Sequence, residues 1–366
     1  MQQLFSRCLV FMMLLGLLFP GLASAQQQLL RPALPSALAA SSLLLDISAA
    51  GERLVSVGER GHIVFQDPQQ DWQQAEAPVI AHLTGVDFAN DQLGFAVGHE
   101  GIILRTRDQG SHWELVHHEL TAAPVRAEAK LPELELALEQ AQEADDLVDI
   151  EYLEEQLDLL YFALEAEEVS PLLDILMFSP SQGLAVGGYN LALMTEDAGE
   201  SWTLVSDRIP NWEGRHLNAI TQDPQGRLYI AGEGGVVFLS EDQGESWEDI
   251  SVDYDGSLFG VIATEEQLFA FGLRGHLFIS DSAGASWEEV PTPTEQTLNA
   301  GLILGERLLL VGQNGLYLYG EPHQLQALQL PQRQSLVSVI AQDQQIIAVG
   351  RAGVHRLMIP QDADSL

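Results

Sequence analysis

The sequence predicts an all-β fold, a seven-bladed β-propeller with an α-helical hairpin inserted between blades 2 and 3. Three observations carry that reading. A small or apolar residue followed by a glycine turn occurs seven times, as Val57-Gly-Glu-Arg-Gly61, Val97-Gly-His-Glu-Gly101, Val186-Gly-Gly-Tyr-Asn190, Ala231-Gly-Glu-Gly-Gly235, Phe271-Gly-Leu-Arg-Gly275, Val311-Gly-Gln-Asn-Gly315 and Val349-Gly-Arg-Ala-Gly353. Apart from one double-length gap, the copies recur roughly every 40 residues, the period of four-stranded blades. A second motif, Ser/Thr-x-Asp-x-Gly-x-x-Trp, follows the first at a fixed distance.

That second motif is complete at Asp108 with Trp113, Asp197 with Trp202, and Asp242 with Trp247. Around Trp287 serine replaces the aspartate, and blade 1 keeps only Asp67 and Trp72. It resembles the Asp-box of bacterial neuraminidase repeats. The chemistry required is that of a hairpin turn: the carboxylate accepts backbone N–H groups, glycine supplies positive φ, and tryptophan packs beneath. A carboxylate repeated once per blade is expected to be a structural staple rather than a catalytic or calcium ligand.

The chain opens on Arg7, an apolar run, a Pro20-Gly21 break and Ala23-Ser24-Ala25, a secretory signal peptide over residues 1–25 with cleavage after Ala25. The propeller is then expected over 26–366. The one cysteine, Cys8, lies in the removed segment, so the mature chain is expected to have no disulfide or thiol chemistry. Export to a bacterial periplasm follows. With a formal charge of −37, the protein is expected to be repelled by nucleic acid and anionic lipid, and to meet basic or neutral partners.

Each blade reads as four strands from the axis outward. Blade 4 shows them at 217–221, 228–231, 236–239 and 247–252, and the others begin near Leu43, Leu83, Leu172, Leu258, Leu298 and Leu336. Blade 7 runs out after three strands, and an unpaired edge is a liability. Residues 28–34, with Pro32 and Pro35 tolerable on an edge, are expected to supply its outer strand and close the ring. The insertion spans 124–171. Between Arg126 and Glu168 it holds 15 Asp or Glu. Leu131, Leu134, Leu138 and Ala141, then Leu147, Ile150, Leu153, Leu157, Leu160, Tyr161 and Leu164, follow helical spacing. Asp145-Asp146 is an N-cap signal between the two runs. The reading is an acidic antiparallel helical hairpin whose apolar faces seal against each other or else dock on the propeller or on a partner.

Propeller topology puts the glycine turns and the blade-to-blade connections on one face, and the Asp-boxes on the other. Arg60, Arg274 and Arg351 stand in glycine turns, with Arg215 just before blade 4. In so acidic a chain they are candidates for gripping a partner carboxylate, unless neighbours such as Glu59 or Glu233 neutralise them. Nothing points to an enzyme. Arg208-Ile209-Pro210 echoes a sialidase segment but follows three Asp-boxes, and no Tyr–Glu nucleophile pair accompanies it. No metal-ligand spacing, nucleophile elbow or phosphate loop occurs, so no cofactor is expected.

The run of glycine turns and Asp-boxes in seven blades of an exported chain is similar to the photosystem II stability/assembly factor family and its non-photosynthetic relatives. The resemblance covers nearly the whole mature chain. It implies a non-enzymatic scaffold that holds membrane-protein subunits during assembly through arginines on the propeller face, and Arg60, Arg274 and Arg351 match that placement. The acidic insertion departs from the family, and nothing in the chain indicates photosynthesis. The partner expected is the periplasmic face of another inner-membrane complex, such as a resistance-nodulation-division transporter, met without insertion into the membrane. The alternative is a glycan-binding or sialidase-like propeller.

Overall fold

The computed structural model describes residues 31–144, 147–165 and 169–360. The expected signal peptide, the Asp145-Asp146 cap and residues 361–366 lie outside them. No helix among the described residues is long and apolar enough to cross a membrane.

The chain forms a β-propeller of seven sheets, six with four strands and the last with three, each an antiparallel meander in chain order. The strand second from the axis is the core of each blade. In blade 4 it is Leu228–Gly232, buried at every position. Such continuous runs of apolar, largely β-branched or bulky residues suit strands covered on both faces. The outermost strands are short, two residues in blade 4 at Glu248–Asp249, and an edge this short offers little template for unwanted pairing.

All seven innermost strands carry a register shift at their second residue, the first at Leu44/Asp46 and the last at Leu336/Ser338. A bulge re-aims side chains, and here it lets each strand reach the next blade. Thr84, Asn218 and Asn299 donate to the carbonyls of Leu172, Leu258 and Leu336 at 2.8, 2.9 and 2.7 Å. Asp46, Asp87 and Asp174 accept the N–H groups of Val86, Met177 and Ile220 at 2.8, 2.7 and 2.9 Å. Neighbouring blades are thus stitched through their innermost strands as well as packed.

Among the described residues, the closing strand expected from residues 28–34 is not found. In its described part, Ala33 donates to the Ala77 carbonyl at 2.9 Å, and the Gln74 side chain bonds Leu34 O and Ser36 N. The segment therefore lies along the outer edge of blade 1. Blade 7 keeps three strands among the described residues. The first and last blades meet by packing instead. Ile347 and Val349 share a buried cluster with Leu44, Ile47, Leu54 and Val64. Ser338 Oγ donates to Asp46 at 2.7 Å, and Gln342 to the Glu52 carbonyl at 2.9 Å.

The insertion is a helical hairpin, α1 (Glu119–Ala144) and α2 (Leu147–Glu165). Ala127, Ala141 and Leu157 are buried, while Leu147 and Tyr161 of the expected apolar face are exposed, and the two helices of the hairpin pack against each other. Its start was expected near Pro124, yet α1 begins five residues earlier and runs through both Pro124 and Pro132. The reason is an anchor. The Glu119 side chain is buried against the glycine turn of blade 2 and takes His117 and Arg126 as partners. Because the hairpin leaves and re-enters between two adjacent blades, replacing 120–169 by a short glycine-serine linker is expected to leave the ring folded. Its melting temperature should stay within about 3 °C of the intact protein, and loss of the cooperative melt would show the hairpin to be structural.

Candidate functional site: one face of the propeller

The Asp-boxes build one face. Asp108 Oδ1 accepts the His112 N–H at 2.9 Å, and Gly110 N–H bonds Thr106 Oγ1 at 3.0 Å. The same two bonds recur around Asp197 and Asp242. Around Ser282 the hydroxyl takes the aspartate's place, accepting Ser286 N–H at 3.1 Å. Serine hydrogen bonds, from Ser201 and Ser246, hold Asp197 and Asp242 below the usual carboxylate range. At Asp108 burial pulls the other way, but bonds from His112 and Thr106 prevail. Trp113 donates to Gly110 O at 2.9 Å, Trp202 stands edge-on to Phe95, Trp247 packs against the core of blades 3 and 4, and Trp287 donates to Ile250 O. The carboxylates are occupied holding turns, which is staple geometry. The Arg208 of the sialidase echo bonds Gly244 O and Glu245 and belongs to this stapling.

The glycine turns build the other face, packed against the connections between blades. A Cβ on Gly61 would meet Val79 O, one on Gly235 Tyr254 O, and one on Gly275 Thr294 O. The third residue of each turn takes a left-handed conformation: Arg60 at φ 58°, Arg274 at 57°, Tyr189 at 52°, Asn314 at 55°. That conformation turns the side chain away from the sheet, and Arg60 and Arg274 are exposed. Arg351 is exposed in the second position of its turn. Arg60 and Arg351 therefore stand on adjacent blades, and Arg274 two blades from Arg351.

Ion pairs are denser on the Asp-box side, where Arg356 of blade 7 is nevertheless exposed without a carboxylate in salt-bridge distance among the described residues. On the Asp-box side Arg53 pairs with Asp67 at 2.7 Å, Arg105 and Arg107 with Glu200 at 3.0 and 2.6 Å, and Arg227 with Asp223 at 2.6 Å. On the turn side Arg60, Arg274 and Arg351 have no carboxylate within salt-bridge distance among the described residues. The Glu59 carboxylate is taken by the Leu43 N–H at 3.1 Å, and Glu233 lies 3.9 Å from His216. Arg215 is different. It pairs with Glu213 at 2.6 Å and donates to Gly234 O at 2.6 Å, which makes it a brace for the blade 4 turn rather than a free cation.

Three residues of this face were not singled out from sequence. Arg333 is exposed in the connection beside Gly315, adding a cation between blades 6 and 7. Trp212 is 91 % exposed and Tyr189 is 71 % exposed, in the connection and the turn of blade 3. Tyr189 stands against His216 with ring centroids 4.6 Å apart. Trp212 had a signal: of six tryptophans it alone is out of step with the Asp-boxes. Large aromatics left in water beside cations are a common composition for a protein-binding surface.

The family described as "Photosynthesis system II assembly factor YCF48" matches residues 156–289. A curated relative, the photosystem II assembly lipoprotein Ycf48 of Synechococcus sp. (strain CC9902), is 31 % identical over 91 residues. That stretch is 25 % of this chain and spans only 27 % of the relative's length. Among solved structures, YCF48 bound to D1 peptide superposes with a TM-score of 0.61 at 15 % identity, covering 88 % of this chain and 97 % of that one. YCF48 from Cyanidioschyzon merolae gives 0.60 at 12 % identity over the same shares. The WD40 propeller domain of Doa1 gives 0.58 at 10 % identity, over 90 % of this chain and 95 % of that one, so this degree of likeness carries the propeller fold and nothing finer.

Proposed function

We propose that this chain, a Ycf48-like propeller, is a non-enzymatic assembly factor that holds a segment of a membrane-protein partner on its glycine-turn face. The observation that carries the proposal is the ion-pairing asymmetry. In a chain of net charge −37, most arginines of the Asp-box face have found a carboxylate. Leaving Arg60, Arg274 and Arg351 exposed without one reserves them for charge-assisted bonds to carboxylates or a chain terminus of the partner. Trp212 and Tyr189 add apolar area at low entropic cost. The structural neighbour YCF48 is bound to a D1 peptide, so a propeller of this shape is able to hold a peptide segment. The signal-peptide pattern puts the encounter in the periplasm, on an inner-membrane complex such as a resistance-nodulation-division transporter.

The test is photo-cross-linking in membranes of the native host, with a photoreactive residue at position 60 or 274, and at position 196 on the opposite face. Cross-links to one membrane protein are expected from the first two positions only. Replacing Arg60, Arg274 and Arg351 together by alanine is expected to reduce binding of the captured segment at least tenfold, since each charge-assisted bond contributes about 1.5–3 kcal/mol. Exposed substitutions change stability by no more than about 0.5 kcal/mol, so the melting curve should not move. Asp108, Asp197 and Asp242 replaced by alanine should do the reverse. Capture from position 196 alone would put the partner on the wrong face. Oligosaccharide binding lost with Trp212→Ala would favour the glycan-binding alternative.

A further inference from the structure

Helix α1 carries a second apolar stripe that the hairpin does not use. Val125, Ala129, Pro132 and Leu136 are all exposed or half-buried, Val125 at 63 % and Leu136 at 55 %. Their spacing of four, three and four residues keeps them within one narrow strip of the helix, over about 16 Å of its length. The buried positions of the same helix, Ala127 and Ala141, lie on the opposite side of it from this stripe. An apolar seam at this spacing is what one helix presents to another.

The borders of the seam say what it fits. Glu128, Glu135 and Glu139 line one side and Glu133 the other, all reaching solvent. The single basic residue at the border, Arg126, has its charge taken by buried Glu119. A second copy of this chain would bring the same glutamates against these and be repelled. An anionic lipid surface would be repelled likewise. We infer that the seam formed by Val125, Ala129, Pro132 and Leu136 docks an amphipathic helix of a partner protein whose apolar ridge is flanked by lysine or arginine. The seam is distinct from the arginine face and its test does not depend on that reading.

Two synthetic helical peptides test it on the full protein by fluorescence anisotropy. Both carry leucine at the two apolar positions of each heptad; one has lysine at the flanks and the other glutamate. The lysine peptide is expected to bind at least tenfold more tightly. Because any cationic peptide is drawn to so acidic a chain, the deciding comparison is Val125→Ser with Leu136→Ser. This pair should weaken the lysine peptide at least tenfold with helical circular dichroism unchanged. Glu128→Lys with Glu133→Lys and Glu135→Lys should invert the preference. If these serine substitutions hold their fold and still bind the lysine peptide as the parent does, the seam is not the site. Self-association lost in the serine variant, seen by sedimentation, would make a second copy the occupant and overturn the proposal. Binding to neutral phosphatidylcholine vesicles lost in that variant would overturn it in favour of lipid.

Discussion

Replacing Gly61 by alanine is expected to lower the melting temperature by about 10 °C. Two costs fall on the same atom. Gly61 sits at φ +68°, where a Cβ costs roughly 1–2 kcal/mol. That Cβ would also lie 1.9 Å from the Val79 carbonyl oxygen. Val79 belongs to the connection leading into blade 2, and its side chain is fully buried. The clash is with backbone on both sides, so neither partner can rotate away and one of the two segments must shift. A total of about 3 kcal/mol or more is in the range of strained backbone with overpacking, and roughly 2–4 °C per kcal/mol holds for domains of 150–250 residues. Gly305 is the control. It has φ +63° with nothing within 4 Å of the added Cβ, so Gly305→Ala should cost only about 1 kcal/mol, the strain of the left-handed backbone alone. Equal melting of the two variants would mean that turn and connection are not locked together, and the rigid seat for Arg60 would go with it.

What the sequence discloses and what it hides divide along the same line, between local and long-range determinants. The glycine turns and Asp-boxes are local chemistry repeated blade by blade, so blade order, strand order and the identity of the two faces could be read from the chain. The helical hairpin was legible for the same reason, since its inward leucines keep helical spacing. Its start was misread at Pro124 because the anchor that carries the helix past it, buried Glu119 with Arg126, depends on the glycine turn of another strand pair. The edge pairing of Ala33 has no local mark at all. An extended segment with two prolines suits the rim of blade 1 as well as that of blade 7, and only the folded ring decides between them. Arg215 looked equivalent to the other arginines, yet its bond to Gly234 O required the blade 4 turn to be in place. The carboxylates Asp46 and Asp174 occupy the third place of their strands and Asp87 the fifth, so no repeat pattern joined them.

Those three carboxylates give the strongest pH signature expected of the protein. They are half-buried, held between neighbouring innermost strands. Burial raises Asp46 to about 6, and Asp87 and Asp174 to about 7, with mutual repulsion adding to the rise at Asp87 and Asp174. A carboxyl whose folded pKa exceeds its unfolded value of about 3.9 binds its proton more tightly when folded. Its stabilising contribution is complete below about pH 4 and is lost as pH rises through 6 to 7. Three partly desolvated histidines oppose this over part of the range. Loss of hydration lowers His62, His99 and His118, so stability falls as these must charge on acidification below their unfolded pKa. The carboxylate effect is therefore isolated by comparison with a variant. Asp87→Asn with Asp174→Asn keeps an oxygen to accept the Met177 and Ile220 N–H groups, but never carries charge. At pH 5 both are neutral there in the folded state and only the unfolded parent gains by ionising, so the variant should melt higher by clearly less than it does at pH 8. At pH 8 the parent holds two buried charges, and the variant should melt higher by on the order of 5 °C, a few kcal/mol by linkage. Thermal melts at the two pH values in matched ionic strength measure the difference. A gap of equal size at pH 5 and pH 8 would mean that the axial carboxylates keep ordinary acidity, and that the stitches from Asp87 and Asp174 are made by ionised groups throughout.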